Sequence, residues 1–278
     1  MPLYYASLNS GSNGNCYYVG DKDCAVLIDA GVTFREAERR MERMGLSLGN
    51  VKAIFISHEH TDHTAGAVVI SKRHDIPVFV TEATYRNSQM NVRRDLLHSF
   101  SQKRPVRVGN LIVHAFPKQH DAMDPHSFTV SGSGRTVGIF TDLGEACSHV
   151  KHHFKRCDAA FLESNYDEKM LDEGRYPLFL KKRIRGTHGH LSNSQALALF
   201  MEHRSPALSH VLLSHLSQDN NSPELVLDLF RRHAAGVEIG IASRHGESAV
   251  FILPDGNGPE PDATAFFSDQ APVQMTLF

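Results

Sequence analysis

The run Ser57-His58-Glu59-His60-Thr61-Asp62-His63 sets three imidazoles and two carboxylates in one short stretch. Imidazole nitrogens and carboxylate oxygens are ligands for zinc, manganese and iron. The run follows the apolar segment 51–56 and precedes a helical pattern. In extended chain, residues two apart share a side, so His58 and His60 address one point. A turn after them lets Asp62 and His63 address a second point close by. A solvated loop with chance histidines is the competing explanation, and the position at the end of an apolar strand weighs against it. One loop cannot complete two metal sites. Downstream, His120 follows the apolar run 111–116, Asp142 follows 136–140 and His215 follows 211–214. Alone, each reads as a turn residue or cap. Their common setting, an apolar strand running into a polar loop, makes all three ligand candidates.

These residues need a frame of strands with their ends gathered. Strands are expected at 3–7, 15–20, 24–29, 51–56, 78–81, 111–116, 128–131, 136–140, 159–162, 211–214, 237–241 and 248–252, separated by turn-rich segments such as 10–15 and 20–23. The stripe Phe34, Ala37, Met41 and Met44 predicts a helix over 34–44 that stops near Gly45. Further helices are expected at 64–73, 145–154, 176–184, 193–203 and 223–233. Strands bunched in each half, with helices between and after them, predict an α/β protein built as a four-layer αββα sandwich rather than a doubly wound sheet.

The 278 residues are enough for a sizeable core without disulfide staples. A net charge of −2 gives no general basic field, so any phosphate-binding surface must be local. Cys16, Cys24, Cys147 and Cys157 lack CxxC spacing and read as reduced thiols. The opening residues 1–15 have neither a basic n-region nor an apolar h-region, and no apolar run reaches the ~20 residues of a membrane span. A cytoplasmic protein with no membrane partner is expected. The composition predicts a catalytic domain over 1–253 and a flexible tail from 254 rich in Pro, Gly, Asp and Ala. Eighteen histidines are far more than a chain of this length needs for packing.

The motif His58-x-His60-x-Asp62-His63 resembles the signature of the metallo-β-lactamase superfamily, and the likeness extends over about 1–252. The resemblance implies the metallo-β-lactamase fold and two divalent metal ions, zinc or manganese with iron as a further choice. His58, His60 and His120 would hold the first. Asp62, His63 and His215 would hold the second, with Asp142 bridging and Asp62 also serving catalysis. The segments LNSGSNGNCYYV, FTDLG, LESNYD, YPLFLKKRIRGTHGHLSNSQA and LSHLSQDNN resemble the YycJ/WalJ-type branch, which is similar to exonucleases acting on DNA. That likeness implies a phosphodiester-cleaving nuclease linked to DNA repair. The chain is too short for the inserted β-CASP domain of several RNA-processing relatives. His190 resembles the histidine that protonates the leaving oxygen in the tRNA-trimming RNase Z enzymes, with Glu163 as its carboxylate partner. Capping a helix near Ser192 is the other role open to His190, and His188 is a neighbouring alternative.

The run Lys181-Lys182-Arg183-Ile184-Arg185 precedes that histidine and is either a solvated helix face or a contact for flanking phosphates. Lys151, Lys155, Arg93 and Arg94 are weaker candidates. Loop 10–15 is either a phosphate-approaching backbone or a plain turn. The terminal Gln274-Met275-Thr276-Leu277-Phe278 resembles the peptide with which bacterial DNA-processing proteins dock on the sliding clamp. Two other classes stay open: a hydrolase of a small substrate such as a cyclic phosphodiester, and a binding module without catalysis.

Overall fold

The structure, a computed structural model, describes residues 1–256. The first half of the chain lays down β1 (Leu3–Asn9), β2 (Cys16–Gly20), β3 (Ala25–Ile28), α1 (Phe34–Arg43), β4 (Val51–Phe55), α2 (Thr61–Thr64), α3 (Ala67–His74), β5 (Val78–Phe79), α4 (Glu82–Asn87) and β6 (Leu97–His98). The second half adds β7 (Val106–Val108), β8 (Leu111–Pro117), β9 (His126–Gly132), β10 (Arg135–Phe140), α5 (Ser148–Phe154), β11 (Ala159–Glu163), α6 (Glu168–Glu173), α7 (Leu178–Arg185), α8 (Asn193–His203), β12 (His210–Ser214), α9 (Pro223–Arg231) and β13 (Glu238–Ile241). The last strand, β14 (Phe251–Leu253), returns to the first sheet and pairs antiparallel with β1.

Two sheets result, ordered β14-β1-β2-β3-β4-β5-β6 and β13-β12-β11-β10-β9-β8-β7. Hairpin connections make β1 to β3 and β7 to β10 antiparallel, and crossovers make β3 to β6 and β10 to β13 parallel. Alternation along each strand sorts the side chains into layers. In and just after β4, Ala53 and Phe55 join Tyr17, Phe128 and Phe161 between the sheets, while Ile54 and Ile56 pack under α1 and α3 with Ala37, Met41, Ala67 and Ile70. In β11, Phe161 faces the other sheet, whereas Ala160 and Leu162 pack with Phe154, Phe200 and Phe230 under α5, α8 and α9. Both faces of the strands are therefore buried, which explains their near-continuous apolar runs. The architecture is the four-layer αββα sandwich expected from the pattern.

Several elements differ from expectation. The helix expected at 64–73 starts earlier and divides into α2 and α3. Gly66 stands at the division, where an added Cβ would lie 2.0 Å from the carbonyl oxygen of Val32. The close approach ties this segment to the loop after β3. The helix expected at 176–184 begins at Leu178, because Pro177 occupies its N-cap. The strand expected at 248–252 forms only from Phe251, since the peptide N–H of Ser248 donates instead to the Ser7 carbonyl at 2.9 Å. All four cysteines are free. No helix among the described residues is long and apolar enough to cross a membrane. The segment 257–278, with most of the expected tail and the whole peptide from Gln274 to Phe278, lies outside the described residues.

Candidate metal centre

The ligand candidates come together at the ends of strands. His58, His60, Asp62 and His63 follow β4, His120 follows β8, Asp142 follows β10 and His215 follows β12. His58, His60 and His120 each offer one ring nitrogen within 4.8 Å of the others. A second group at that spacing is His58, His63 and Asp142, and a third is Asp142, Glu163, His190 and His215. Asp142 lies between the groups: its Oδ2 is 3.2 Å from His63 Nε2, and its Oδ1 is 3.4 Å from His215 Nδ1 and 3.8 Å from His120 Nε2. Asp62 sits at the edge, with Oδ2 3.6 Å from His63 Nε2. It joins no group at the closer spacing.

Backbone conformation brings these side chains inward. Asp29, Asp142 and His215 leave β3, β10 and β12 with φ of 60°, 55° and 55°. Each left-handed non-glycine residue costs about 1–3 kcal/mol, a strain that clusters at functional sites. Asp29 was hidden in the sequence as the last residue of an apolar strand, the same setting that singled out Asp142. Its Oδ1 accepts from the peptide N–H of Ser57 at 2.8 Å, and its Oδ2 accepts from Ser57 Oγ at 2.9 Å and faces His63 Nδ1 at 2.7 Å. Bonding one nitrogen fixes the tautomer and directs His63 Nε2 toward Asp142. Asn15, from the loop between β1 and β2, reaches His63 Nε2 at 3.1 Å and Asp62 Oδ2 at 3.3 Å. That loop serves the cluster through a side-chain amide, a role that its small residues did not reveal. His120 Nδ1 donates to the carbonyl of Gly189 at 3.1 Å.

Glu163, at the end of β11 and fully buried, organises the other side. Its Oε2 accepts from the Leu143 peptide N–H at 2.5 Å. Its Oε1 lies 2.7 Å from His190 Nδ1 and 3.0 Å from His215 Nδ1. His215 thus spends Nδ1 on the carboxylate and leaves Nε2 buried without a hydrogen-bond partner. His190 is partly exposed, with 22% of its side chain accessible. It does not cap the next helix: Ser192 and Gln195 form a complete capping box for α8. Gly189 makes the turn into His190, because a Cβ there would lie 2.1 Å from the Ile184 carbonyl oxygen. His188 is exposed and meets Thr187 rather than the cluster. Among the basic candidates, Arg183 pairs with Asp121 at 2.6 Å and Arg93 is committed to Asp75 and Asp95.

Burial and fixed charges divide the imidazoles. Burial, with the neighbouring charge of His63, holds His58 well below the usual histidine range, and burial takes His120 down to about 3. Burial opposes charge on His63 and His215 too, but carboxylates outweigh it. Asp29 and Asp142 raise His63, and Asp142 and Glu163 raise His215. Despite their burial, Asp142 and Glu163 are held below the carboxylate range by the imidazoles beside them. Asp142 Oδ2, like His215 Nε2, is buried without a hydrogen-bond partner. Buried polar atoms without partners require an explanation, and a bound ion is one. His58 and His120, held neutral, and the ionised carboxylates have the protonation states that a divalent cation needs, and a cation would displace the proton that the carboxylates favour on His63 and His215. The residues fit such a cation.

A double sandwich with a His/Asp cluster at its strand ends defines a metallo-β-lactamase-type protein. The chain belongs to that superfamily, and the family model described as "Beta-lactamase superfamily domain" matches residues 25–219. It is similar to Exodeoxyribonuclease YycJ of Bacillus anthracis, with 33% identity over 81% of this chain and 86% of that protein. Exodeoxyribonuclease WalJ of Streptococcus pneumoniae is 26% identical over 85% of this chain and 90% of that one. The crystal structure of the metallo-beta-lactamase fold protein YhfI from Bacillus subtilis superposes with a TM-score of 0.70, covering 91% of this chain and 99% of that one at 15% identity. That last likeness concerns the fold alone.

Proposed function

We propose that this chain is a metal-dependent phosphodiester hydrolase that removes nucleotides from the ends of DNA, with a place in cytoplasmic DNA repair. The observation that carries the reading is Glu163 holding His190 beside the His/Asp cluster, where the ring would donate a proton next to bound cations. The two exodeoxyribonuclease relatives support the choice of DNA. His58, His60 and His120 would hold one cation, and Asp62, His63 and His215 the other, with Asp142 shared. When bound, two such ions, zinc, manganese or iron, make a water nucleophilic at neutral pH and draw charge from the phosphate.

The remaining steps belong to side chains. Asp62, steadied by Asn15, presents a carboxylate oxygen that orients the attacking water and takes its proton. Glu163 accepts from His190 Nδ1–H, which fixes the ring and lets Nε2 carry a proton to the departing oxygen. The Asp29–His63 contact keeps that imidazole from turning. The basic residues of α7, next in sequence to this histidine, would meet flanking phosphates.

Incubating purified protein with end-labelled single- and double-stranded DNA and RNA, with manganese or zinc, tests the reading. A ladder shortening from a DNA end, abolished by chelator and by His60→Ala, is expected. No cleavage of either nucleic acid, with turnover of a cyclic nucleotide instead, would favour the small-substrate alternative.

The peptide Gln274 to Phe278 extends the proposal to a partner. Its glutamine would bond at the rim of a sliding clamp while Leu277 and Phe278 fill an apolar pocket, and the preceding segment would raise the local concentration of enzyme on DNA. A Leu277→Ala, Phe278→Ala chain should lose clamp binding and still cut short DNA. Clamp affinity equal to that of the unchanged chain would remove this partner.

A further inference from the structure

On the His190 side, the centre opens into a groove between α7 and the loop after β12. Tyr176, Leu180 and Ile184 line it from the α7 side, and Leu216 lines it from the loop. Leu180 and Ile184 are four residues apart and so share one face of α7. None of the eight residues of α7 is buried, so the helix keeps an apolar stripe beside the groove without sinking into the core. Tyr176 OH donates to Asp219 Oδ2 at 2.8 Å, which fixes the tilt of the ring. Asn165, also in the lining, spends Nδ2 on the His215 carbonyl at 2.7 Å, and its Oδ1 has no hydrogen-bond partner among the described residues. Arg183 and Asp121, ion-paired with each other, also line the groove, so the pair adds no net charge to it.

We propose that this groove seats the nucleoside on the leaving side of the scissile phosphodiester, with its base against Tyr176 and the apolar stripe of α7. The proposal rests on the DNA-cleaving reading above. A base has two apolar faces and a polar edge. The groove offers an aromatic ring and aliphatic side chains for the faces, and the free Asn165 oxygen for a donor on the edge. The open groove holds about 230 Å³. That is below the ~300–1,000 Å³ typical of pockets for drug-sized ligands, so one nucleoside fits and a run of them does not. His190 borders the same groove, so a base seated there brings its sugar oxygen to the proton that Glu163 keeps in place. Arg185 pairs with Asp172 and Lys181 bonds the Asp172 carbonyl, so the exposed Lys182, on the same helix, provides for the phosphate that follows.

The test compares Kd values by fluorescence anisotropy on metal-loaded protein. The probes are single-stranded oligonucleotides with phosphorothioate linkages at both ends, which slow their consumption. One probe keeps its terminal bases, and the other has abasic residues at both ends. Stacking of one base on an aromatic ring predicts about ten-fold tighter binding of the intact strand. Tyr176→Ala should bring that ratio close to one, and Tyr176→Phe should preserve it. Equal affinity for the two probes in the unchanged protein overturns the groove assignment alone. So does a ratio that Tyr176→Ala leaves untouched. No binding of either probe overturns it together with the nucleic-acid reading.

Discussion

Glu163 presents one oxygen to two imidazoles, and the two rings use it differently. His215 is buried and keeps Nε2 without a hydrogen-bond partner, while His190 is partly exposed and borders the groove. Distances alone do not divide ligand from proton donor, because both rings lie within 4.8 Å of Asp142. Accessibility is the ground on which the proposal gives His215 the ligand role and His190 the donor role. Removing a general acid typically costs about 10²–10⁴-fold, so His190→Ala should lower kcat by that order with little change in KM. Glu163→Gln should cost about 10–100-fold, the usual effect of losing an orienting partner. Single-turnover hydrolysis of labelled DNA reads both. Equal kcat in His190→Ala and the unchanged enzyme would remove the acid role. At this scale the sequence was informative where a ligand-type residue stood in the polar loop just beyond an apolar strand. It hid Asp29, which looked like the last residue of a strand, and Asn15, which lay in a loop of small residues.

Elements were legible in proportion to their length and periodicity. The stripe through Phe34, Ala37 and Met41 marked α1, and the β-branched run before His58 marked β4. The strands β6 and β7 and the helices α4 and α6 were not legible. They span two to six residues, too few for a period to register, and hold their place by tertiary contacts. A tertiary contact also ties the legible α1 to the loop before β14, where Arg43 donates twice to Glu247 at 2.6 Å. Hydrogen bonding to Arg43 takes the Glu247 carboxyl down to about 2. A carboxyl depressed on folding stabilises the native state above its unfolded pKa, and that gain disappears as pH falls through the folded one. Glu247→Gln should therefore lower Tm slightly at pH 7, the difference shrinking between about pH 4.5 and pH 2. A deficit that persisted unchanged at pH 2 would show that packing, not the ion pair, was lost.

At the scale of the molecule, two sheets that switch from antiparallel to parallel pairing gather His58, His60 and His63 with the distant His120, Asp142 and His215 at strand ends. Bunched strands with helices between them were enough to anticipate the layers, because burial on both faces leaves near-continuous apolar runs. Strand order and register were not readable from the pattern, since they depend on which edges meet and not on local preference. The proposed chemistry depends on this convergence holding a pair of cations. Elemental analysis of the purified protein after loading with manganese or zinc tests that most directly. Two ions per chain are expected, falling below two in His60→Ala and in Asp142→Ala while circular dichroism stays unchanged. A count of zero, or one indifferent to both substitutions, would contradict it.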